Sequence, residues 1–260
     1  MNASTTASTS IHLSILTGAS RGMGRAVALQ LLQPNRLLLC ISRHADAALA
    51  PRADAAGTEL VQWQQDLGDT QAAAARLAEW LEALDGKRFA SATLINNAGV
   101  LAAPRPLAGA DPGELSNALR VGLEAPMQLT AVFLRATSDW QAERKVLNIS
   151  SGLGRNAMAS QAPYCAAKAG MDHFTRVVAL EQAASPSGAK IVSLAPGVID
   201  TDMQQQLRDG DAKHFPDRER FARLKRDGQL DSPDVAAGKV LAYLARADFG
   251  SQPIADVRDA

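Results

Sequence analysis

Apolar residues along the chain come in short dense runs, separated by longer segments in which they recur every three or four positions. The runs, at residues 13–16, 37–41, 60–63, 93–95, 146–149 and 191–194, are mostly Leu, Ile and Val with little polar alternation. Strands buried on both faces read this way, because neither face has to meet water. Between them, residues 24–33, 70–84, 115–136, 164–184 and 233–244 carry helical spacing; in the first of these, Val27, Leu31 and Leu32 share a face. A last short run at 254–257 predicts an edge strand. Strands alternating with helices imply an α/β fold, a doubly wound parallel sheet of about seven strands with helices on both faces. Residues 201–229 break the pattern: they are polar, charged and interrupted by Gly210, Pro216 and Gly228. They predict an insertion of short helices and loops lying over the core. With no internal repeat and no long linker, residues 11–260 are expected to form one domain, preceded by a frayed Ser/Thr-rich tail over residues 1–10.

Composition narrows the range of partners. The chain has 27 Lys and Arg against 27 Asp and Glu, a formal net charge of zero. That balance excludes a protein whose main task is to coat nucleic acid or an anionic membrane. Two cysteines, Cys40 and Cys165, exclude a disulfide framework and a four-Cys zinc site. His12, His44, His173 and His214 have no metal-ligand spacing, so no metal is expected. The longest apolar runs reach about a quarter of the roughly 20 residues that a membrane span needs. The first ten residues have neither a basic start nor an apolar stretch, unlike a targeting peptide. The expected setting is cytoplasmic, with no nucleic acid and no membrane as partner.

The first predicted strand runs into Thr17-Gly18-Ala19-Ser20-Arg21-Gly22-Met23-Gly24, and a predicted helix follows at once. Glycines let the backbone take positive φ and approach a ligand closely. The helix start then turns free N–H groups and its positive dipole end toward an anion. In an open α/β sheet this turn lies at the carboxyl ends of the strands, where ligands bind. A phosphate group is the expected occupant.

The spacing G-x-x-x-G-x-G resembles that of the short-chain dehydrogenase/reductase family. Further matches follow in order: Asp66 after the third strand, Asn96-Asn97-Ala98-Gly99 after the fourth, Ser150-Ser151 after the fifth, Tyr164-x-x-x-Lys168, and Pro196-Gly197 after the sixth. The resemblance spans residues 12–257 and implies a Rossmann-like sheet holding a nicotinamide dinucleotide. By this resemblance Thr17, Gly18, Ser20, Arg21, Gly22, Met23 and Gly24 bind its phosphates. Asp66 bonds the adenine amino group with Leu67 beside it, and Asn97, Ala98 and Gly99 meet the ribose. Pro196, Gly197, Val198 and Thr201 hold the nicotinamide end. An NAD site usually offers a carboxylate after the second strand. Here that strand ends in Ser42-Arg43-His44. Arg43 together with Arg21 could grip a 2′-phosphate, so NADP(H) is the expected cofactor.

Tyr164 and Lys168 are four apart and share one helix face. Ser151 precedes Tyr164 by 13 residues, the family spacing. A Tyr hydroxyl, with its ordinary pKa near 10, is protonated at neutral pH and can give its proton to a carbonyl oxygen. Tyr164 is assigned as acid/base, Lys168 as electrostatic tuner and ribose ligand, and Ser151 as hydrogen-bond donor to the carbonyl. Cys165, next to Tyr164, reads as a small packing residue. The family's usual Asn in the long helix before the fifth strand is here Gly122. Pro126, four residues on, lacks the N–H that would bond the Gly122 carbonyl and is expected to kink the helix there. The backbone of Gly122 is therefore expected to serve the proton relay without an Asn side chain.

The latter half, with Ala125-Pro126-Met127, Tyr164-Cys165 and the segment from Pro196 to Gln204, resembles the sepiapterin reductase/benzil reductase branch. That branch implies a small-molecule carbonyl substrate, one ketone of a vicinal dicarbonyl. Asp256 falls where a substrate-ring anchor is expected. Residues 201–229 would form a substrate lid, with Met203, Leu207, Phe215 and Phe221 as apolar wall or as packing. A 3-oxoacyl thioester reductase, a general alcohol dehydrogenase and a non-catalytic NADP(H) sensor are the alternative readings. A homodimer through the two long helices is expected by resemblance.

Overall fold

Each apolar run becomes a parallel strand of one sheet. The computed structural model describes residues 11–259; the expected tail at 1–10 lies outside the described residues. The strands are β1 (Ile11–Thr17), β2 (Arg36–Ser42), β3 (Thr58–Gln64), β4 (Phe89–Asn96), β5 (Glu143–Ile149), β6 (Lys190–Ala195) and β7 (Ile254–Asp256). They form a seven-stranded sheet in the order β3-β2-β1-β4-β5-β6-β7, paired in parallel throughout. Successive side chains point to opposite faces, which explains the unbroken apolar runs. Leu13, Ile15, Leu37 and Leu39 bury into one core layer, and Leu16, Leu38 and Cys40 into the other.

Helices close both layers. α1 (Gly22–Gln30) and α9 (Pro233–Leu244) press Val27, Ala236 and Val240 into one. α3 (Thr70–Glu82) and α5 (Ala125–Ala136) press Leu77, Leu129 and Phe133 into the other. Ser232 starts α9 by accepting the Val235 N–H at 3.2 Å, and Pro233 follows it, where no N–H is needed. α2 (Leu49–Ala56) carries no clear signal in the sequence, because it is short and contains Pro51. Pro51 falls in the first turn, where its missing N–H is harmless.

The predicted helix 115–136 is three pieces. α4 (Pro112–Leu119) leads into a π-helical segment, Arg120–Glu124, and then into α5. The Ala125 N–H bonds the Arg120 carbonyl, five residues back. The predicted Pro126 kink is thus absorbed by a wider turn immediately before the proline. α6 (Ala162–Ala183) begins slightly earlier than its spacing predicts. Residues 201–229 contain α7 (Asp202–Arg208) and α8 (Arg218–Arg226), held by a small core of Leu207, Phe215 and Phe221. No described helix is long and apolar enough to cross a membrane.

Candidate active site

The carboxyl ends of β1 and β4 are tied together before any ligand is considered. Thr17 is buried at the end of β1, and its hydroxyl oxygen accepts the N–H groups of Asn97 at 2.9 Å and Ala98 at 3.0 Å. The Asn97 amide returns two bonds, to the carbonyls of Thr17 at 2.9 Å and Gly18 at 3.2 Å. Gly18 has φ of +72° and Gly22 of +53°, a region that L side chains rarely adopt. A Cβ on Gly24 would lie 2.0 Å from the Gly18 carbonyl oxygen and 2.4 Å from the Asn97 amide nitrogen, so only glycine fits. Two expectations are corrected here. Thr17 does not line the cleft but braces the turn from behind. The Asn97 side-chain amide, expected to face a ribose, is spent on that brace.

Above the sheet ends runs a cleft of about 790 Å³. At one end it is lined by Gly18, Ser20, Arg21, Gly22, Met23 and Gly24 from the turn, with Arg43, Asp66 and Leu67 beyond them. Asn97, Ala98 and Gly99 line its floor, and Pro196, Gly197, Val198 and Thr201 its far side. Ser151, Tyr164 and Lys168 stand at the centre, and Met203, Leu207 and Phe221 close the other end. Phe215 is fully buried in the small core and does not reach the cleft, so its role is packing. The volume of the cleft, its glycine wall and the arginines Arg21 and Arg43 beside that wall fit an extended dinucleotide. A second depression of about 880 Å³ lies outside α7, lined by Pro104, Arg105, Asp209 and His214 among others, and holds none of these central groups.

Arg21 pairs with Asp202 at 3.0 Å, joining the turn to the first residue of α7. Arg43 is exposed beside the cleft. Three residues further, Asp46 is held by Arg25 at 2.5 Å, and Gln62 bonds its backbone. The nearest carboxylate of this loop is therefore already neutralised.

At the centre, Ser151 leaves β5 in extended conformation, and its oxygen accepts the Leu153 N–H at 3.1 Å. Tyr164 and Lys168 project from the first turns of α6. The Lys168 ammonium donates to the Ile149 carbonyl at 2.6 Å and lies 5.8 Å from the Tyr164 ring centroid. Lys168 is 4% exposed. Burial pushes the Tyr164 hydroxyl above its ordinary value, with the Ser151 hydroxyl pulling the other way. Burial likewise brings Lys168 down to about 8, against the opposing attraction of Asp172. At neutral pH the pair holds a protonated hydroxyl beside an ammonium.

Gly122 sits in the π-helical segment, and a Cβ there would lie 3.0 Å from the Ala167 Cβ on α6. That contact is a packing reason for glycine at this position. Asp256 is corrected. It is 5% exposed at the end of β7, and the Arg258 guanidinium grips it through two bonds of 2.8 and 2.6 Å. Arg258, not Asp256, lines the cleft. Sequence reasoning also missed Asn117 from α4 and Asn156, Gln161 and Arg220, which line it too. None of these belongs to a spaced motif; loop and helix packing alone bring them there. Gln161 is 2% exposed, and its amide nitrogen has no hydrogen-bond partner among the described residues.

A parallel sheet in this order, a glycine turn at its switch point and a Ser, Tyr and Lys set at its centre define a dinucleotide-dependent oxidoreductase. The chain belongs to the short chain dehydrogenase family, whose pattern it matches over residues 13–212. Benzil reductase ((S)-benzoin forming) of Bacillus cereus is 35% identical over 235 residues, covering 90% of this chain and 94% of that protein. Sepiapterin reductase of Meriones unguiculatus is 35% identical over 257 residues, covering 94% and 95%. Among solved structures, a metagenomic short-chain oxidoreductase in complex with NADP superposes with a TM-score of 0.71 at 26% identity, covering 96% of each chain.

Proposed function

We propose that this oxidoreductase reduces one ketone of a vicinal dicarbonyl, using NADPH, with Tyr164 as proton donor. The observation that carries the reading is the convergence of Ser151, Tyr164 and Lys168 in the middle of the cleft, between its glycine-walled end and its apolar end. NADPH, when bound, supplies a hydride to the carbonyl carbon. The chain does the rest. Ser151 donates a hydrogen bond to the carbonyl oxygen and orients it. Tyr164 gives its proton to that oxygen as the hydride arrives. Lys168, held at the Ile149 carbonyl, stabilises the phenolate left behind. Burial keeps the Tyr164 proton in place at neutral pH, the state that the reductive step requires.

NADPH over NADH is supported by Arg43 at the end of β2 and by the Arg25–Asp46 pair, which takes the loop's carboxylate out of play. Arg21 would exchange Asp202 for the 2′-phosphate. The dicarbonyl class is supported by two reductases that align over 90% and 94% of the chain, one named for benzil and one for sepiapterin. Residues 201–229 act as the substrate lid in this reading. A homodimer is supported by Met127 on α5 and Val177 and Leu180 on α6, apolar side chains left exposed on the helices expected to pair.

The test is NADPH oxidation against benzil, short 1,2-diketones, sepiapterin, an acetoacetyl thioester and simple aldehydes. Turnover is expected with the dicarbonyls. Activity confined to the thioester would replace the substrate class, and tight NADPH binding with no turnover would favour a sensor.

A further inference from the structure

The reaction set leaves one buried carboxylate without a role. Asp172 is 2% exposed, on α6 one turn beyond Lys168. One of its oxygens accepts the hydroxyls of Ser150 and Ser193, both at 2.6 Å, and the other accepts the Arg155 guanidinium at 3.1 Å. Arg155 continues to the Ala255 carbonyl at 2.8 Å. The carboxylate thus joins β5, β6, β7 and the loop after Ser151 to the helix that carries Tyr164 and Lys168. Two hydroxyls and a guanidinium thus converge on this one buried carboxylate. Gly154 marks how closely this loop is pressed on: a Cβ there would lie 2.9 Å from the Lys168 carbonyl oxygen and 3.1 Å from Asp172 Oδ2. A buried ammonium without an opposing charge loses its proton readily. The groups facing Lys168 are Tyr164 and Asp172 on α6, the Ile149 carbonyl on β5 and the Met171 sulfur. Asp172 is the carboxylate among them, and it shares its charge with Arg155, paired to its other oxygen at 3.1 Å.

We propose that Asp172 is a positioning residue for the reaction: its fixed carboxylate keeps the Lys168 ammonium charged and its helix turn seated against the ends of β5 and β6. Asp172 touches neither substrate nor cofactor; it acts through Lys168 and through Ser150, the neighbour of Ser151. The proposal rests on the reductase reading above, in which a charged Lys168 serves Tyr164.

Two measurements test it. The first is kcat for NADPH-dependent reduction across pH 6 to 10 in the parent, Asp172→Asn and Asp172→Glu. Reduction needs the ammonium, so rate falls as Lys168 loses its proton. Asp172→Asn should move this alkaline limb to lower pH, by about half a pH unit to one unit, since loss of an opposite charge lowers a lysine pKa and Arg155 offsets part of that charge. Asp172→Glu, which keeps the charge, should restore much of it. An equal fall at every pH, with the limb unmoved, would mean a structural role only and overturn the proposal. Should Asp172→Asn fail to fold, Asp172→Ser reads the same shift. The second measurement needs no activity: urea midpoints at pH 7 for Asp172→Asn made in the parent and in Lys168→Met. The loss should be larger where Lys168 is present, and equal losses overturn the coupling. If no carbonyl is reduced by the parent, the first experiment fails for the reductase reading, while the second still decides for Asp172.

Discussion

The two ends of the cleft are built from different material. The glycine-walled end is made of backbone: Gly18, Gly22 and Gly24, braced by Thr17 and Asn97, with no room for a Cβ at Gly24. The opposite end is made of side chains: Met203, Leu207, Phe221, Arg220 and Arg258, contributed by α7, α8 and the turn after β7. Backbone seats demand particular residue types at fixed spacing, and side-chain walls demand only volume and polarity. The first end can therefore serve one kind of ligand across a whole family, and the second can change from member to member.

Substitutions sharpen this contrast. The largest effect belongs between the two ends. Tyr164→Phe should lower kcat by about 10²–10⁴-fold, the usual worth of a positioned acid. NADPH affinity, followed by fluorescence titration, should stay close to that of the parent. At the backbone end, adding a single carbon should be severe. Gly24→Ala should weaken NADPH binding roughly tenfold to a hundredfold, because overpacking costs about 1–3 kcal/mol, while carbonyl specificity stays as it was. Unchanged binding would break the comparison. Arg43→Ala, a side-chain loss at the rim of the same end, should reduce the NADPH to NADH ratio of kcat/KM about tenfold, the scale of one hydrogen bond to a charged group. At the other end, Phe221→Leu should raise KM for the carbonyl severalfold and leave KM for NADPH alone.

A further effect is on stability, and its sign is fixed. Lys168 has a folded value of about 8 against 10.5 for a free lysine. Below pH 8 the fold carries the full cost of a buried ammonium, and that cost fades as pH rises toward 10.5. The difference in urea midpoint between the parent and Lys168→Met should therefore move in favour of the parent between pH 7 and pH 9.5.

The same contrast decides what was legible in the sequence. The sheet was legible because both faces of each strand are apolar, and the glycine turn because its spacing is a steric demand. Ser151, Tyr164 and Lys168 were legible because a helix turn and a strand end fix their intervals. Thr17 and Asn97 were found, but their duties were misread: a hydroxyl beside a glycine turn looks the same whether it faces a ligand or, as here, two N–H groups of the neighbouring strand. Asp256 was expected in the site by resemblance alone, which does not reveal that Arg258 grips its carboxylate and lines the cleft in its place. The π-helical segment was hidden for a related reason. Pro126 announces a missing bond, and only the packing of Gly122 against Ala167 explains how the helix accommodates it. Asn156, Gln161 and Arg220 had no signal, since their neighbourhood is assembled from distant parts of the chain.

The brace between β1 and β4 also bears on the heat and entropy of association. Thr17, Gly18 and Asn97 satisfy one another, and the Gly18 N–H is already bonded to the Ile41 carbonyl at 2.8 Å. A dinucleotide arriving at this end has little chain left to order, so the conformational entropy lost on binding should fall mainly on the ligand. Calorimetry would read that as a modest entropic penalty, and removing the Asn97 amide would enlarge it before any contact to the ligand is touched.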